Sequence, residues 1–186
     1  MRTIVLATSN PHKVEEINAI FKDINFILPP SNFNPIEDGV TFEENSMIKA
    51  KEANRLTHMI TLADDSGLCV DALNGEPGIH SARYAPTAQE RINKLLENLN
   101  GETNRKAKFV CAMTLLNSDG SVLAQVRGEC HGKIDTSQKG LNGFGYDPVF
   151  IVDGYNQTMA ELSEDEKNLI SHRANALKQI AKVLSN

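Results

Sequence analysis

The sequence has no run of about 18 apolar residues, the length a helix needs to cross a bilayer, so no membrane-spanning helix is expected. It has no surplus of positive charge: 19 Lys and Arg stand against 24 Asp and Glu, for a net charge of −5. A protein that grips DNA or RNA along its phosphates carries the opposite balance, and no aromatic-basic strip marks an RNA-binding face. Polymeric nucleic acid is therefore not the expected partner. Cysteines are few, and Cys69, Cys111 and Cys130 are widely spaced with no Cys-x-x-Cys, as in a cytosolic protein with reduced, mostly buried thiols. The apolar opening through Ala7 is too short for a secretory signal core and lacks a cleavage pattern, so the expected location is cytoplasmic. Neither a Walker A motif nor Gly-x-Gly-x-x-Gly occurs, and repeats, low-complexity tracts and evident linkers are lacking. If phosphates are bound, local lysines in a pocket must bind them. A small anion that brings its own cation suits this chain better than a polyanion.

What is present describes one domain over residues 1–186, long enough to bury a sizeable core. Arg2 to Ala7 is apolar and β-branched without clear alternation, as in a strand covered on both faces. A polar loop, Thr8-Ser-Asn-Pro-His-Lys13, leads to a helix predicted over Val14 to Phe21. Strand, polar loop and helix is an arrangement that offers free helix amides to an anion, although Lys13 also reads as a solvated helix-start lysine. Asn25 to Leu28 is a short strand. Thr41 to Glu44 is a capping box opening a helix to about Arg55, with Lys49 and Glu52 on its polar side. A strand over Met59 to Ala63, a continuation or hairpin arm over Leu68 to Leu73, and a helix from about Thr87 to Leu99 follow. Lys108 to Asn117 and Val122 to Cys130 flank an Asp-Gly turn and form a hairpin. A glycine-rich loop covers Gly140 to Pro148, and Val149 to Val152 is a strand. Ser163 to Glu166 is another capping box, opening a helical stretch to Leu184 in which Ser171 starts a second piece. This order predicts a single α/β domain with a mixed sheet flanked by helices.

The chemistry concentrates in Leu62-Ala-Asp-Asp-Ser-Gly-Leu-Cys-Val70. Neighbours on a strand point to opposite faces, so Asp64 and Asp65 are expected to serve one site where the strand ends, with Gly67 as the ending. A carboxylate pair at a strand's mouth can hold a hard cation and orient a water. A solvated turn is the competing reading of these residues taken alone.

Six blocks occur in order: Thr8-Ser-Asn-Pro-His-Lys13, Thr41-Phe-Glu-Glu-Asn45, Ala63-Asp-Asp-Ser-Gly67, Pro77-Gly-Ile-His-Ser-Ala-Arg-Tyr84, Gly143-Phe-Gly-Tyr-Asp-Pro148 and Ser171-His-Arg173. In this the chain resembles the inosine triphosphate pyrophosphatase family, which hydrolyses nonstandard purine nucleoside triphosphates, from about residue 4 to residue 182. The resemblance implies an elongated mixed sheet with two lobes around a central nucleotide-binding cleft, and a homodimer. It implies a magnesium-dependent cut between the α- and β-phosphates of ITP, dITP or XTP, releasing the monophosphate and pyrophosphate. Asp65 would be the general base and a Mg2+ ligand, with Asp64 and Glu37 as its acidic partners. Glu44 is an alternative to Glu37, unless capping accounts for it. Thr8, Ser9, Asn10, Pro11, His12 and Lys13 would wrap the triphosphate, with Ser66 adding a hydroxyl and Lys49 and Lys167 further positive charge. Phe144 would stack on the purine, and Gly145, Tyr146 and Asp147 would complete the base pocket with His172 and Arg173. His80 departs from the aromatic residue common in such relatives.

The chemistry implied is consistent. An ordinary aspartate titrates at ~3.9 and is a weak base at neutral pH, so a metal must do much of the activation. Hypoxanthine and xanthine carry a 6-carbonyl where adenine carries an amino donor. A donor such as Arg173 or His172 would pair with the former and oppose the latter, at roughly 1–3 kcal/mol for the unsatisfied group.

Overall fold

The opening apolar run hides an alternation that sets the architecture. In strand β1 (Arg2–Leu6), Ile4 and Leu6 enter one apolar cluster, whereas Val5 and the following Ala7 enter another. Both faces of the strand are covered, so its sequence shows no polar side. The structure, a computed structural model, describes residues 2–185. Six strands lie in the order β2-β1-β3-β4-β5-β6, formed by β2 (Ile24–Ile27), β3 (Thr61–Val70), β4 (Lys106–Leu116), β5 (Val122–Ile134) and β6 (Phe150–Val152). β1 runs parallel to β2 and β3, and β5 and β6 are antiparallel. β4 and β5 are joined by the tight turn in which the Gly120 amide donates to Asn117 O and the Asn117 amide to Ser121 O, which only an antiparallel pair permits. The sheet is therefore mixed, as the sequence predicts.

The chain divides into two compact units. The first comprises Met1–Asp65, Cys111–Gly128 and Arg173–Asn186. Helices α1 (Pro11–Ile20) and α5 (His172–Leu184) cover one face of its strands, where Ile17, Leu177 and Ile180 pack on Ile4, Leu6, Leu62 and Met113. Helix α2 (Phe42–Thr57) covers the other, with Ala50 and Ala53 against Val5, Ala7, Ala63 and Leu116. The second unit, Ser66–Val110 and Glu129–His172, is built on Leu68, Val70, Phe109, Phe150 and Met159. Helix α3 (Ala88–Asn98) contributes Ile92 and Leu95 to that core, and helix α4 (Glu164–Ile170) completes the unit.

Several boundaries differ from expectation, each for a local reason. α1 begins at Pro11 rather than Val14. Asn10 caps it by accepting the His12 amide, and proline is well suited to a first helical position because its missing N–H would have no intrahelical acceptor. Pro11, His12 and Lys13 are thus first-turn residues. Thr41 caps α2 by accepting the Glu44 amide, while the Glu44 carboxylate reaches back to the Val40 amide. Lys49 does not lie on a polar side: it belongs to the buried stripe of Phe42, Asn45, Ser46 and Ala53 and is itself buried. β3 runs unbroken through Asp64-Asp65-Ser66-Gly67 to Val70, so Gly67 does not end the strand. β5 extends four residues past Cys130, where Gly132 to Ile134 pair with β6. Ser171, in an extended conformation, separates α4 from α5 as anticipated.

Candidate active site

Strand periodicity places Asp64 and Asp65 on different faces of the first unit. Leu62 faces α1 and α5, and Ala63 faces α2. Asp64 therefore faces α1 and α5, and Asp65 faces α2. Each carboxylate meets cations from the helices on its own side. Asp64 Oδ2 lies 3.0 Å from Lys13 Nζ and 3.5 Å from an Arg173 guanidinium nitrogen, and the Cys111 thiol approaches it at 3.9 Å. Asp65 Oδ1 lies 3.6 Å from Lys49 Nζ.

The two carboxylates share a site because the neighbouring strand ends, not because β3 does. β1 pairs with β3 only through Val5–Thr61 and Leu6–Leu62, and the Ala7 amide still donates to Leu62 O. Thr8 then turns away, its hydroxyl accepting the Asn10 amide. Asp64 and Asp65 thus stand just past the C-terminal end of a parallel neighbour, the position at which open α/β sheets bind ligands. From that edge both faces are within reach, and each lysine's electrostatic influence extends across the strand: Lys49 acts on Asp64, and Lys13 on Asp65.

These surroundings separate the two carboxyls chemically. Burial raises the Asp64 pKa, but Lys13, Arg173 and Lys49 outweigh it and hold the carboxyl well below the usual range. Burial also raises Asp65, and here Lys49 and Lys13 do not compensate. With the charges of Asp64 and Glu37 adding to the effect, Asp65 is pushed up to about 6. Burial lowers Lys49, but Asp64, Asp65 and Glu37 outweigh it, so its pKa is raised and the ammonium is retained. Lys49 Nζ also lies 3.1 Å from Glu37 Oε1. Of the two candidate glutamates, Glu37 shares Lys49 with Asp65, whereas Glu44 is an exposed helix cap.

Asp64 Oδ1 and Asp65 Oδ2 are buried without a hydrogen-bond partner. Among the described residues no three His, Cys, Asp or Glu side chains form a ready-made metal cage. Two carboxylates, each with an uncommitted oxygen, nevertheless fit magnesium, which commonly binds through one or two carboxylates and completes its shell with water and substrate phosphates.

Five of the six expected base-pocket residues gather in the second unit, with Lys167. The Phe144 amide donates to Asp147 Oδ2 at 3.0 Å, and Lys167 Nζ lies 2.8 Å from the same oxygen. That ammonium also sits 4.8 Å from the centre of the Phe144 ring. Gly143 and Gly145 both take positive φ. A Cβ on Gly143 would lie 2.2 Å from Asp147 Oδ2, so glycine is required for this loop to close on the aspartate. The buried Tyr146 donates its hydroxyl to Ser81 O at 2.7 Å. His172, also buried, stacks on Phe109 at 4.8 Å between ring centres.

Arg173 departs from expectation. Its guanidinium is fully buried in the first unit, paired with Glu16 and Asp64, and so is engaged with the carboxylate cluster rather than offered to a base. Burial disfavours its charge, but Asp64 and Glu16 more than restore it. Sequence reasoning missed Glu16 and Cys111 as members of this cluster. Glu16 had a signal: it stands one turn after Lys13 and beside the core residue Ile17 on α1. Of the remaining candidates, Ser9, Pro11 and His12 are exposed at the start of α1, and Ser66 is half-buried on β3.

Known proteins resemble this chain along nearly its whole length. The Ham1 family model matches residues 4–183. A dITP/XTP pyrophosphatase of Exiguobacterium sp. is 47% identical over 185 residues, covering 95% of this chain and 94% of that protein. One from Staphylococcus epidermidis is 44% identical over 183 residues, covering 95% and 93%. The structure of a HAM1 protein from Coxiella burnetii superposes with a TM-score of 0.91 at 42% identity, covering 100% of this chain and 99% of that one. Similarity of this degree along nearly the whole sequence shows that the chain belongs to the Ham1 family.

Proposed function

We propose that this protein is a nucleoside triphosphate pyrophosphatase that hydrolyses ITP, dITP and XTP to the monophosphate and pyrophosphate. The observation that carries this reading is the Asp64–Asp65 pair, with one uncommitted oxygen on each carboxylate and Lys13, Lys49 and Arg173 around it. The names of the full-length relatives, dITP/XTP pyrophosphatases, support the substrate class.

The two aspartates divide the work. Asp64, kept ionised by its cations, is the steadier metal ligand, and Asp65, displaced toward neutrality, is the better base. Magnesium held by Asp64 and Asp65, with Glu37 in support, would offset phosphate charge and acidify a bound water. Water oxygen attacks the α-phosphorus, a new P–O bond forms, and the α–β bridging bond breaks. Pyrophosphate leaves with the bonding pair, and Asp65 accepts the proton of the attacking water before passing it to solvent. Lys13 Nζ and the first turn of α1 bind the phosphate oxygens.

Phe144 offers a ring for purine stacking, and Lys167, steadied by Asp147, and His172 are the donors best suited to a 6-carbonyl. Arg173 acts in this reading on Asp64 and not on the base. The same proposal includes a homodimer acting in the cytoplasm. Among the described residues no helix is long and apolar enough to cross a membrane.

Product identification tests the proposal. ITP should give IMP and pyrophosphate, dependent on magnesium, with little turnover of ATP or GTP. IDP and phosphate would refute the assigned bond, and binding of ITP without turnover would make the protein a nucleotide sensor. Light scattering on the eluted protein tests the dimer.

A further inference from the structure

The segment that carries Glu37 has almost no structure of its own. Between β2 and α2, residues 28–41 contain no helix or strand. The described backbone hydrogen bonds within it are Phe33 to Pro30 O and Asp38 to Ile36 O. Glu37 is nonetheless set 3.1 Å from Lys49. What anchors it comes from the first two turns of α2.

Asn45 is 2% exposed, and its Oδ1 accepts the Gly39 amide at 2.9 Å. Glu44 Oε2 accepts the next amide, Val40, at 2.7 Å. Lys49 stands one turn beyond Asn45 on the same buried stripe and receives Glu37. One helix face therefore grips the segment on both sides of Asp38. The approach is close: a Cβ on Gly39 would lie 2.7 Å from Asn45 Oδ1 and 2.8 Å from Glu44 Cβ. The second contact is to the root of a helical side chain, which cannot swing aside, so any other residue at this position must move the segment.

We infer that Asn45, through Gly39, is a positioning residue that sets Glu37 against Lys49 and so tunes metal binding at the aspartate pair. The inference rests on the metal-dependent reading of the site given above. Asn45 touches no reacting atom; its carboxamide fixes a backbone from which Glu37 reaches the cluster. Without it, Glu37 is released, and Lys49 shifts its attention to Asp65, weakening Asp65 as a metal ligand.

The test compares Asn45→Leu, which keeps volume and loses the acceptor, with Asn45→Asp, which keeps an acceptor there, and with Gly39→Ala. Amide hydrogen exchange reports the grip directly, and Mn2+ binding to the protein without nucleotide, followed by electron paramagnetic resonance, reports the site without turnover. Asn45→Leu and Gly39→Ala should lose protection at Gly39 and Val40. Each should weaken Mn2+ binding about fivefold to tenfold, as expected for one lost buried hydrogen bond, and raise the magnesium needed for half-maximal ITP hydrolysis alike. The kcat at saturating magnesium should stay within about threefold, and Asn45→Asp should restore protection. Unchanged protection and Mn2+ affinity in a folded Asn45→Leu or Gly39→Ala protein would overturn the inference, as would a kcat loss that excess magnesium does not repair. If the wild-type protein proves inactive on ITP, the functional reading fails separately, while the exchange and Mn2+ measurements still decide the role of Asn45.

Discussion

Asp65→Asn should abolish turnover and, without metal, make the protein more stable. The Asp65 carboxyl is displaced upward from 3.8 to about 6, mainly by burial, with Asp64 and Glu37 adding to the effect against Lys49 and Lys13. In the unfolded chain it ionises at its ordinary value. Between the two values the folded state holds a proton that the unfolded state has released, so stability falls as pH rises through this window and levels off above it. The displacement corresponds to about 3 kcal/mol at pH 8, an upper bound on what the ionised group costs the fold. Asparagine resembles the neutral carboxyl in size and cannot ionise. The variant should therefore gain up to about 3 kcal/mol at pH 8, or roughly 6–12 °C in Tm for a chain of this length, and little at pH 4.

The assay is thermal unfolding of wild type and variant in EDTA from pH 4 to pH 8, with ITP hydrolysis measured in parallel with magnesium. Adding magnesium should raise the wild-type Tm more than that of the variant, since a ligand of the folded state stabilises by mass action. A variant less stable than wild type at pH 8, or a gap that does not change with pH, would refute the electrostatic account. Full activity in the variant would refute the catalytic assignment. A stability gain coupled to lost turnover is the pattern expected where a site is kept under electrostatic strain for its chemistry.

Lys13→Met removes the largest attractive influence on Asp64 and should lower kcat/KM for ITP by about 10- to 100-fold. The stability that Asp64 contributes is present above its unfolded value of 3.8 and lost as pH falls through its lower folded value, so acid unfolding of this variant should begin at a higher pH. Phe144→Leu should raise KM for ITP about tenfold through lost base stacking and leave kcat within about threefold; an unchanged KM would place the purine elsewhere. Gly143→Ala forces a Cβ against Asp147 at a φ of +70° and should cost about 1–3 kcal/mol in unfolding free energy while raising KM for ITP. Loss of one parameter without the other would separate loop closure from base binding.

The elements of the fold were legible where a local rule governs them. The Thr41 cap of α2, the capping box at Ser163–Glu166 and the Asp-Gly turn between β4 and β5 stand where the sequence places them, because each is closed by residues within a few positions. The path of β3 was not legible. A strand buried on both faces carries no polar alternation to reveal which residue faces which helix, and Gly67 lacks the positive φ that would have ended it. The burial of Lys49 and Arg173 was also hidden, since a periodicity reading counts any charge as a solvent-facing residue. Arg173 and Glu16 are 157 positions apart and bury each other. Such a pair leaves no trace in the neighbourhood of either residue.

The Asp64–Asp65 dipeptide shows why the candidate site could be found but not assigned from sequence. Two identical side chains in succession read as one acidic pair, and the only apparent question is how both could point to one place. The strand's two-residue period forbids that and puts them on faces covered by different helices. From that follow their different partners, two helical cations for one and a single lysine for the other, and from the partners their opposite displacements. The differentiation into a carboxylate held ionised and a neighbour displaced toward its neutral form thus needs no difference in residue type. It requires only that β1 stop two residues short of Asp64, so that a ligand arriving at the edge can meet both faces.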